Sequence, residues 1–355
     1  MSGVVSIVLV LAGLIFFHEL GHFLAARLLG VGVRTFSVGF GKALWFWQGK
    51  KTRYQISLIP LGGYVDLVGM RSDEKVEAPF TEAESYCVHS PLRRLVTVAA
   101  GPLFNLLLAW LLYWALMWSG SALLLPEVGS FIPDSPAAAA GLEPGDMITG
   151  INGRSVASWE DLLYHVQTSK GESLLVGVRR LDRDLLFAVT PKTLTLDGEA
   201  GEGKAREVHL IGVIASGRFV DKSFFRAGID SFGETRDKTL LMLDLVGRMF
   251  SREISLTDNL GGPVMVARTV HEQAVRSGPA GVIKVAAILS VNLGLLNLLP
   301  IPALDGGHIL FNLIEMVFRR PVPERVRSVC TYFGFVFLVG LMLLATALDV
   351  FRLSG

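Results

Sequence analysis

The sequence predicts a polytopic α-helical membrane protein. It should have four transmembrane helices, a membrane-associated β-hairpin region and one extracytoplasmic α+β domain. Three observations carry that class. About half of the 355 residues are hydrophobic (51%) and only 18% are charged, a balance outside the ordinary soluble range. Uncharged apolar runs that match the ~30 Å hydrocarbon core recur along the chain. Between the second and third runs the composition turns soluble, with Gly, Asn and Asp marking tight turns. The formal net charge of +1 argues against nucleic acid as a main partner. Cys87 and Cys330 lie far apart and suggest neither a disulfide framework nor a cysteine zinc site.

The first span runs from Val4 to about Leu29. It lacks a basic leader and a small-residue cleavage site, so it reads as a retained span. Residues 33–68 follow, with strand-like text in Thr35–Gly41 and Tyr54–Ile59. Gly62-Gly63 then turns into Tyr64–Val68, which suggests hairpins beside the first span. Arg71–His89 is polar and acidic and reads as an exposed loop. The second span extends from Leu95 to about Leu125 and is interrupted by Gly101-Pro102 and Asn105. A proline frees a carbonyl and an asparagine needs a partner in lipid, so this part should face other helices. The parts are then residues 1–121, the first half of a membrane core, and 122–217, a soluble domain. Residues 218–281 are an amphipathic connector and 282–355 the second half of the core.

Within the soluble part, Ser135-Pro136-Ala137, Gly145-Asp146-Met147-Ile148 and Ile151-Asn152-Gly153 resemble the core of a PDZ domain. Asn152-Gly153 supplies a tight hairpin, and Trp159–Val166 one helix with an apolar face. Leu210, Ile211, Gly212 and Val213 resemble the carboxylate-binding turn of such domains. Their late position implies a circularly permuted module that takes a C-terminal peptide tail. Asp197–Glu207 reads as a loop, and Phe224–Phe250 as an amphipathic helix. The third span begins near Val282, runs through Leu299 and ends in the stretch Asn297–His308, which puts Asp305 late in it; the fourth is Val329–Leu348.

Chemistry concentrates in His18-Glu19-Leu20-Gly21-His22. On a helix the two histidines stand one turn apart on one face and can grip one metal ion, while Glu19 can act as a base for a water activated by it. Ionisable groups inside an apolar run are expensive and default to function. A catalytic zinc wants a third protein ligand and an open position. The loop after span one and the loop around Arg319-Arg320 are both basic, which puts them in the cytoplasm and the soluble domain outside. Spans one and three then run in the same direction, and Asp305 reaches the depth of the histidines. Asp305 is therefore the nominated third ligand, with His308 one turn further on as competitor.

Together, His18-Glu19-x-x-His22, Gly101-Pro102-x-x-Asn105, Asn297-x-x-Pro300-x-Pro302 and Leu304-Asp305-Gly306 resemble the site-2 protease family of intramembrane zinc metalloproteases. The layout is similar to the bacterial regulator-of-sigma-E type, except that one PDZ-like module stands where that type has two. The resemblance implies one Zn2+ held by His18, His22 and Asp305, with Glu19 as catalytic base and Asn297 touching substrate. It also implies single-span membrane substrates, such as a pre-clipped anti-sigma factor or remnant signal peptides, in a bacterial inner membrane. Asn105, Pro300, Pro302 and a strand edge at Tyr54, Ile56 and Leu58 are further candidates for holding an unwound substrate backbone. A rival reading, a membrane-anchored PDZ scaffold with a non-catalytic metal site, leaves Glu19 without a purpose.

Overall fold

In the computed structural model the described residues are 3–70, 75–119, 124–156, 158–169, 171–196, 206–217, 223–251 and 262–354. Four helices in them are long and apolar enough to cross a membrane: Val5–Leu29, Pro91–Trp118, Gly278–Leu298 and Glu324–Phe351. The chain is a multi-pass membrane protein. Contacts divide it into two compact units, one of Met1–Trp114 with Ile229–Asp349 and one of Ala115–Gly228 with Val350–Gly355. Most of the connector, from Ile229 onward, thus groups with the membrane helices.

In the helical unit, α1 (Gly3–Leu29) carries no acidic residue in its first turn and only Arg27 in its last. It stops at Gly30, whose φ of 86° suits a glycine after a helix end. Helix α2 (Pro91–Trp118) contains Pro102. It ends short of the expected Leu125 as the Ser119 hydroxyl turns back to donate to the Leu116 carbonyl at 2.9 Å. Residues 120–123 lie outside the described set.

The β region differs from a row of plain hairpins. Strands β1 (Val33–Gln48) and β2 (Arg53–Leu67) are each bent, so their halves pair on different sides. Residues 33–38 pair antiparallel with 63–67 on one side, as Val33↔Leu67 and Val38↔Gly63 show. On the other side Thr35↔Arg53 through Val38↔Ile56 step in the same sense. Residues 43–48 close a hairpin on 53–57. The order across this small sheet is therefore 63–67, 33–38, 53–57, 43–48. Gly39 and Gly41, with φ of 95° and 85°, make the bend in β1.

The other unit begins its strands with β3 (Val128–Phe131), followed by the single-turn helix α3 (Pro136–Ala139). Then come β4 (Met147–Ile151), β5 (Arg154–Ser155), α4 (Trp159–Thr168), β6 (Leu174–Arg180) and β7 (Arg183–Val189). The last strands are β8 (Lys192–Leu196), β9 (Arg206–Leu210) and β10 (Val213–Ala215). β5-β4-β6-β7 form one antiparallel sheet, and β8-β9 and β10-β3 form pairs. Asn152 and Gly153 both have positive φ (49° and 76°), the backbone a tight two-residue hairpin needs. Along β6, Leu174, Val176 and Val178 are buried in alternation and meet Ile148, Ile151 and Leu162 in the core. Ser158 and Asp161 cap α4 reciprocally.

Helix α5 (Phe224–Phe250) covers the amphipathic stretch. The expected break at Leu260–Pro263 lies partly outside the described residues, as does most of the loop at Asp197–Glu207. Helix α6 (Pro263–Arg276) follows, then α7 (Gly278–Leu298), which starts four residues before the expected Val282. A separate helix, α8 (Asp305–Phe318), comes next, and α9 (Glu324–Ser354) closes the chain. Sequence reasoning treated Asp305 as the late part of span three, and the structure corrects that. Pro300 and Pro302 end α7 at Leu298, and Asp305 opens a new helix. Gly306 and Gly307 let that helix start against the end of α7. A Cβ on Gly306 would stand 2.1 Å from the Leu299 carbonyl oxygen, and one on Gly307 2.4 Å from the Pro302 Cα. From α9, the buried Asp349 carboxylate accepts the N–H groups of Gly262 (3.0 Å) and Met265 (2.9 Å), capping α6.

Candidate active site

His18 and His22 share one face of α1, as a spacing of four dictates. Their rings meet edge to face, with centroids 4.9 Å apart. Each is set by α2. The His22 Nδ1–H donates to the Thr97 carbonyl at 3.0 Å, and the His18 Nδ1 lies 3.0 Å from the Asn105 amide. The approach of the two helices depends on glycine. A Cβ on Gly21 would sit 2.3 Å from the Ala100 carbonyl oxygen, and one on Gly101 2.2 Å from the His22 Nε2. Gly101 in the interrupted span is therefore a cradle for the imidazole.

The free nitrogens of both rings converge on the first residue of α8. Asp305 Oδ2 lies 3.1 Å from His18 Nε2 and 3.4 Å from His22 Nε2, and the two Nε2 atoms are 3.3 Å apart. This triangle tests whether a zinc ion fits. Bonds of ~2.0–2.2 Å at tetrahedral angles place neighbouring ligand atoms about 3.3–3.6 Å apart. The donor set, two imidazoles and a carboxylate, suits zinc, and the separations agree with the tetrahedron within a few tenths of an ångström. Among the described residues, His18, His22 and Asp305 form a group able to hold a metal. His308 is not part of it; its ring lies against Phe311 at 6.4 Å.

Two further residues border the triangle. Glu19 is 9% exposed, and a Cβ on Gly63 would stand 2.8 Å from its Cγ, so β2 is pressed against the glutamate. The Asn297 amide nitrogen reaches within 3.4 Å of His18 Nε2 from the end of α7. Asn105 is fully buried in α2, and the Ser290 hydroxyl donates to its backbone carbonyl at 2.7 Å.

Comparison of the sequence with known families gives the same answer as the geometry. The profile of peptidase family M50 matches residues 6–341. The chain belongs to peptidase family M50, the site-2 protease family. Similar proteins occur in Campylobacter jejuni (39% identical over 352 residues, 98% of this chain and 93% of the relative). Others come from Helicobacter pylori strain J99 (36% over 351 residues, 98% of each chain) and Agrobacterium fabrum (35% over 368 residues, 99% of this chain and 96% of the relative). Each of the three is named "putative zinc metalloprotease". This M50 chain is accordingly a membrane metalloprotease with zinc as its metal.

The remaining sequence candidates scatter. Pro300 and Pro302 shape the break before Asp305, and the Pro302 carbonyl accepts from the Thr331 hydroxyl at 3.3 Å. Tyr54 stacks on Trp47 (5.3 Å) and meets Phe23 edge-on (5.8 Å). The expectation of a free strand edge at Tyr54, Ile56 and Leu58 is corrected by the register. Tyr54 pairs with both Phe36 and Trp47, and Ile56 with both Val38 and Trp45, so this segment is interior to the sheet. Leu58, beyond it, is 58% exposed. The outer edges are 43–48 and 63–67, and it is the latter that passes Glu19. Leu210, Ile211, Gly212 and Val213 line one groove with Ile132, Leu162 and Val166. Sequence reasoning missed Thr97, which acts through its backbone, and the steric roles of Gly63 and Gly101. The Gly101-Pro102 signal was visible, but it was read as a helix–helix contact and not as a ring cradle.

Proposed function

We infer that this membrane metalloprotease hydrolyses a peptide bond within or near the transmembrane segment of single-span membrane proteins. The observation that carries the reading is the Nε2, Nε2, Oδ2 triangle set among membrane-spanning helices with Glu19 beside it. Zinc held by His18, His22 and Asp305 would supply a Lewis acid that acidifies a water and polarises the scissile carbonyl. Glu19, one residue from a ligand and shielded by Gly63, accepts the proton of the attacking water. It then returns a proton to the departing amine. Asn297, whose amide nitrogen lies 3.4 Å from the His18 Nε2, would donate to the substrate's backbone carbonyl.

A substrate helix hides its carbonyls in its own hydrogen bonds, so it must unwind before attack. The unwound chain then needs backbone partners in a place without bulk water. The outer edge of Gly63–Leu67 offers them next to Glu19, and an extended substrate would add there as a further strand. Leu44, Trp45, Phe46 and Trp47 on the opposite edge are 55–66% exposed, a composition suited to the lipid bilayer. The Arg and Lys bias supports a cytoplasmic β region and active-site end, in a bacterial inner membrane. The soluble unit, as a PDZ-type module, would stand outside and take a C-terminal tail of a pre-clipped substrate at Leu210–Val213. Such substrates include a clipped anti-sigma factor or a remnant signal peptide.

The test is Glu19→Gln in the purified full chain with a single-span substrate. Zinc content should stay near one per chain while cleavage falls by at least about 10³-fold. Retained cleavage would remove Glu19 from the chemistry, and zinc-loaded wild type that cleaves nothing would leave a binding protein with a metal site.

A further inference from the structure

We propose that Asn105 is a positioning residue for the metal centre. Its side-chain oxygen accepts the Nδ1–H of His18, which fixes the imidazole in the tautomer that leaves Nε2 free to bind zinc. The inference rests on the assignment of His18, His22 and Asp305 as the zinc ligands.

The two histidines need the same thing. Each must present an unprotonated Nε2 to the metal, so each must carry its proton on Nδ1 and find an acceptor for it. For His22 that acceptor is the Thr97 carbonyl at 3.0 Å. For His18, among the described residues, the group within hydrogen-bond distance of Nδ1 is the Asn105 carboxamide, also at 3.0 Å. As placed, the amide turns its nitrogen to the ring and leaves its Oδ1 buried without a partner. That arrangement would require a proton on the His18 Nε2, the atom 3.1 Å from Asp305 and 3.3 Å from His22 Nε2. A proton there would block the ligand position.

Nitrogen and oxygen of an amide have nearly the same shape, and their assignment follows from the hydrogen bonds they can make. Either orientation leaves one amide atom without a protein partner among the described residues, so a count of bonds does not choose. The imidazole chooses: only the oxygen can accept from Nδ1–H. The residue that carries the carboxamide is held in place. Asn105 is fully buried, the Ser290 hydroxyl donates to its backbone carbonyl at 2.7 Å, and a Cβ on Gly294 would touch the Asn105 Cβ at 3.4 Å. This role replaces the substrate contact that the sequence suggested for Asn105.

The experiment compares the full-length wild type with Asn105→Leu and Asn105→Asp, reading zinc affinity by chelator competition and folding by thermal unfolding. Leucine keeps the volume and removes the acceptor, so zinc should bind about 10–100-fold more weakly. Aspartate keeps the acceptor and lacks the N–H donors, so it should hold zinc at least as well as wild type. If aspartate fails as leucine does while folding normally, or leucine binds zinc like wild type, the proposal is overturned. Should either variant fail to fold, the wild type decides: 15N spectra of the metal-free protein should show His18 protonated on Nδ1. Protonation on Nε2 would overturn it. Wild-type protein that takes up no zinc would instead refute the ligand set itself.

Discussion

Replacing Gly101 by alanine should disable the metal centre while leaving the helices in place. The added Cβ would lie 2.2 Å from the His22 Nε2, 2.5 Å from Cε1 and 2.8 Å from Cδ2. Since real Cβ contacts do not come closer than 3.0 Å, the ring must retreat by about 0.8 Å, while metal–ligand distances tolerate only about 0.2 Å. The ring cannot swing away freely, because its Nδ1–H is tied to the Thr97 carbonyl at 3.0 Å. Either that bond or the ligand position is lost. Zinc affinity should fall about 10–100-fold, and cleavage by about 10²-fold for an ångström of misplacement. Gly21→Ala makes the control. Its Cβ would meet the Ala100 carbonyl oxygen at 2.3 Å, a backbone atom, so the helices themselves must part and thermal stability should fall as well. Chelator competition and thermal unfolding on both variants separate the two effects. A Gly101→Ala protein that binds zinc as tightly as wild type would refute the cradle.

Three other outcomes follow from the structure. Asp305→Asn should lose most bound zinc whereas His308→Ala keeps it, as metal analysis of the purified proteins will show; the reverse result would exchange the ligands. Asp349→Leu removes the acceptor of two N–H groups at the start of α6, so it should cost about 1–3 kcal/mol, read as a lower unfolding temperature. In the strand-rich unit, burial raises the Asp146 carboxyl, but the paired Arg180 guanidinium and the Glu143 N–H outweigh it and hold the carboxyl below its ordinary value. A folded value below the unfolded one means stability present above pH ~4 and lost as the pH falls further. The protection of the Ile148 and Val178 amides against hydrogen exchange, taken relative to their intrinsic rates, should therefore fall below pH ~4 in wild type, and the gap to Asp146→Asn should close there.

What the sequence disclosed, and what it withheld, divide along the range of the interactions. The spans were legible because each is a local property: an apolar run of membrane length needs no partner to be recognised. The His18–His22 pair was legible for the same reason, since one helical turn fixes its geometry. Asp305 was reached from depth and charge bias, yet the element that carries it was not. A stretch of Asp, Gly and His after two prolines reads as the end of a span. Only the close approach of Gly306 to the end of α7, and of Gly307 to Ile301 and Pro302 in the break, shows how a new helix can begin there. The β region failed in a like way. Period-two patterning names strands but not neighbours, and the bends at Gly39 and Gly41 put Tyr54 and Ile56 inside the sheet and Gly63 against Glu19. Asn105 is the sharpest case. In the sequence it was an unsatisfied amide in lipid, for which substrate was a reasonable partner. In the fold its partner is the far side of a ligand's own ring, 87 residues back in the chain. A glycine that admits a ring, a carbonyl that takes its proton and an amide that does the same all lie on α2. The helix without a single zinc ligand therefore governs whether the other two helices can make one site.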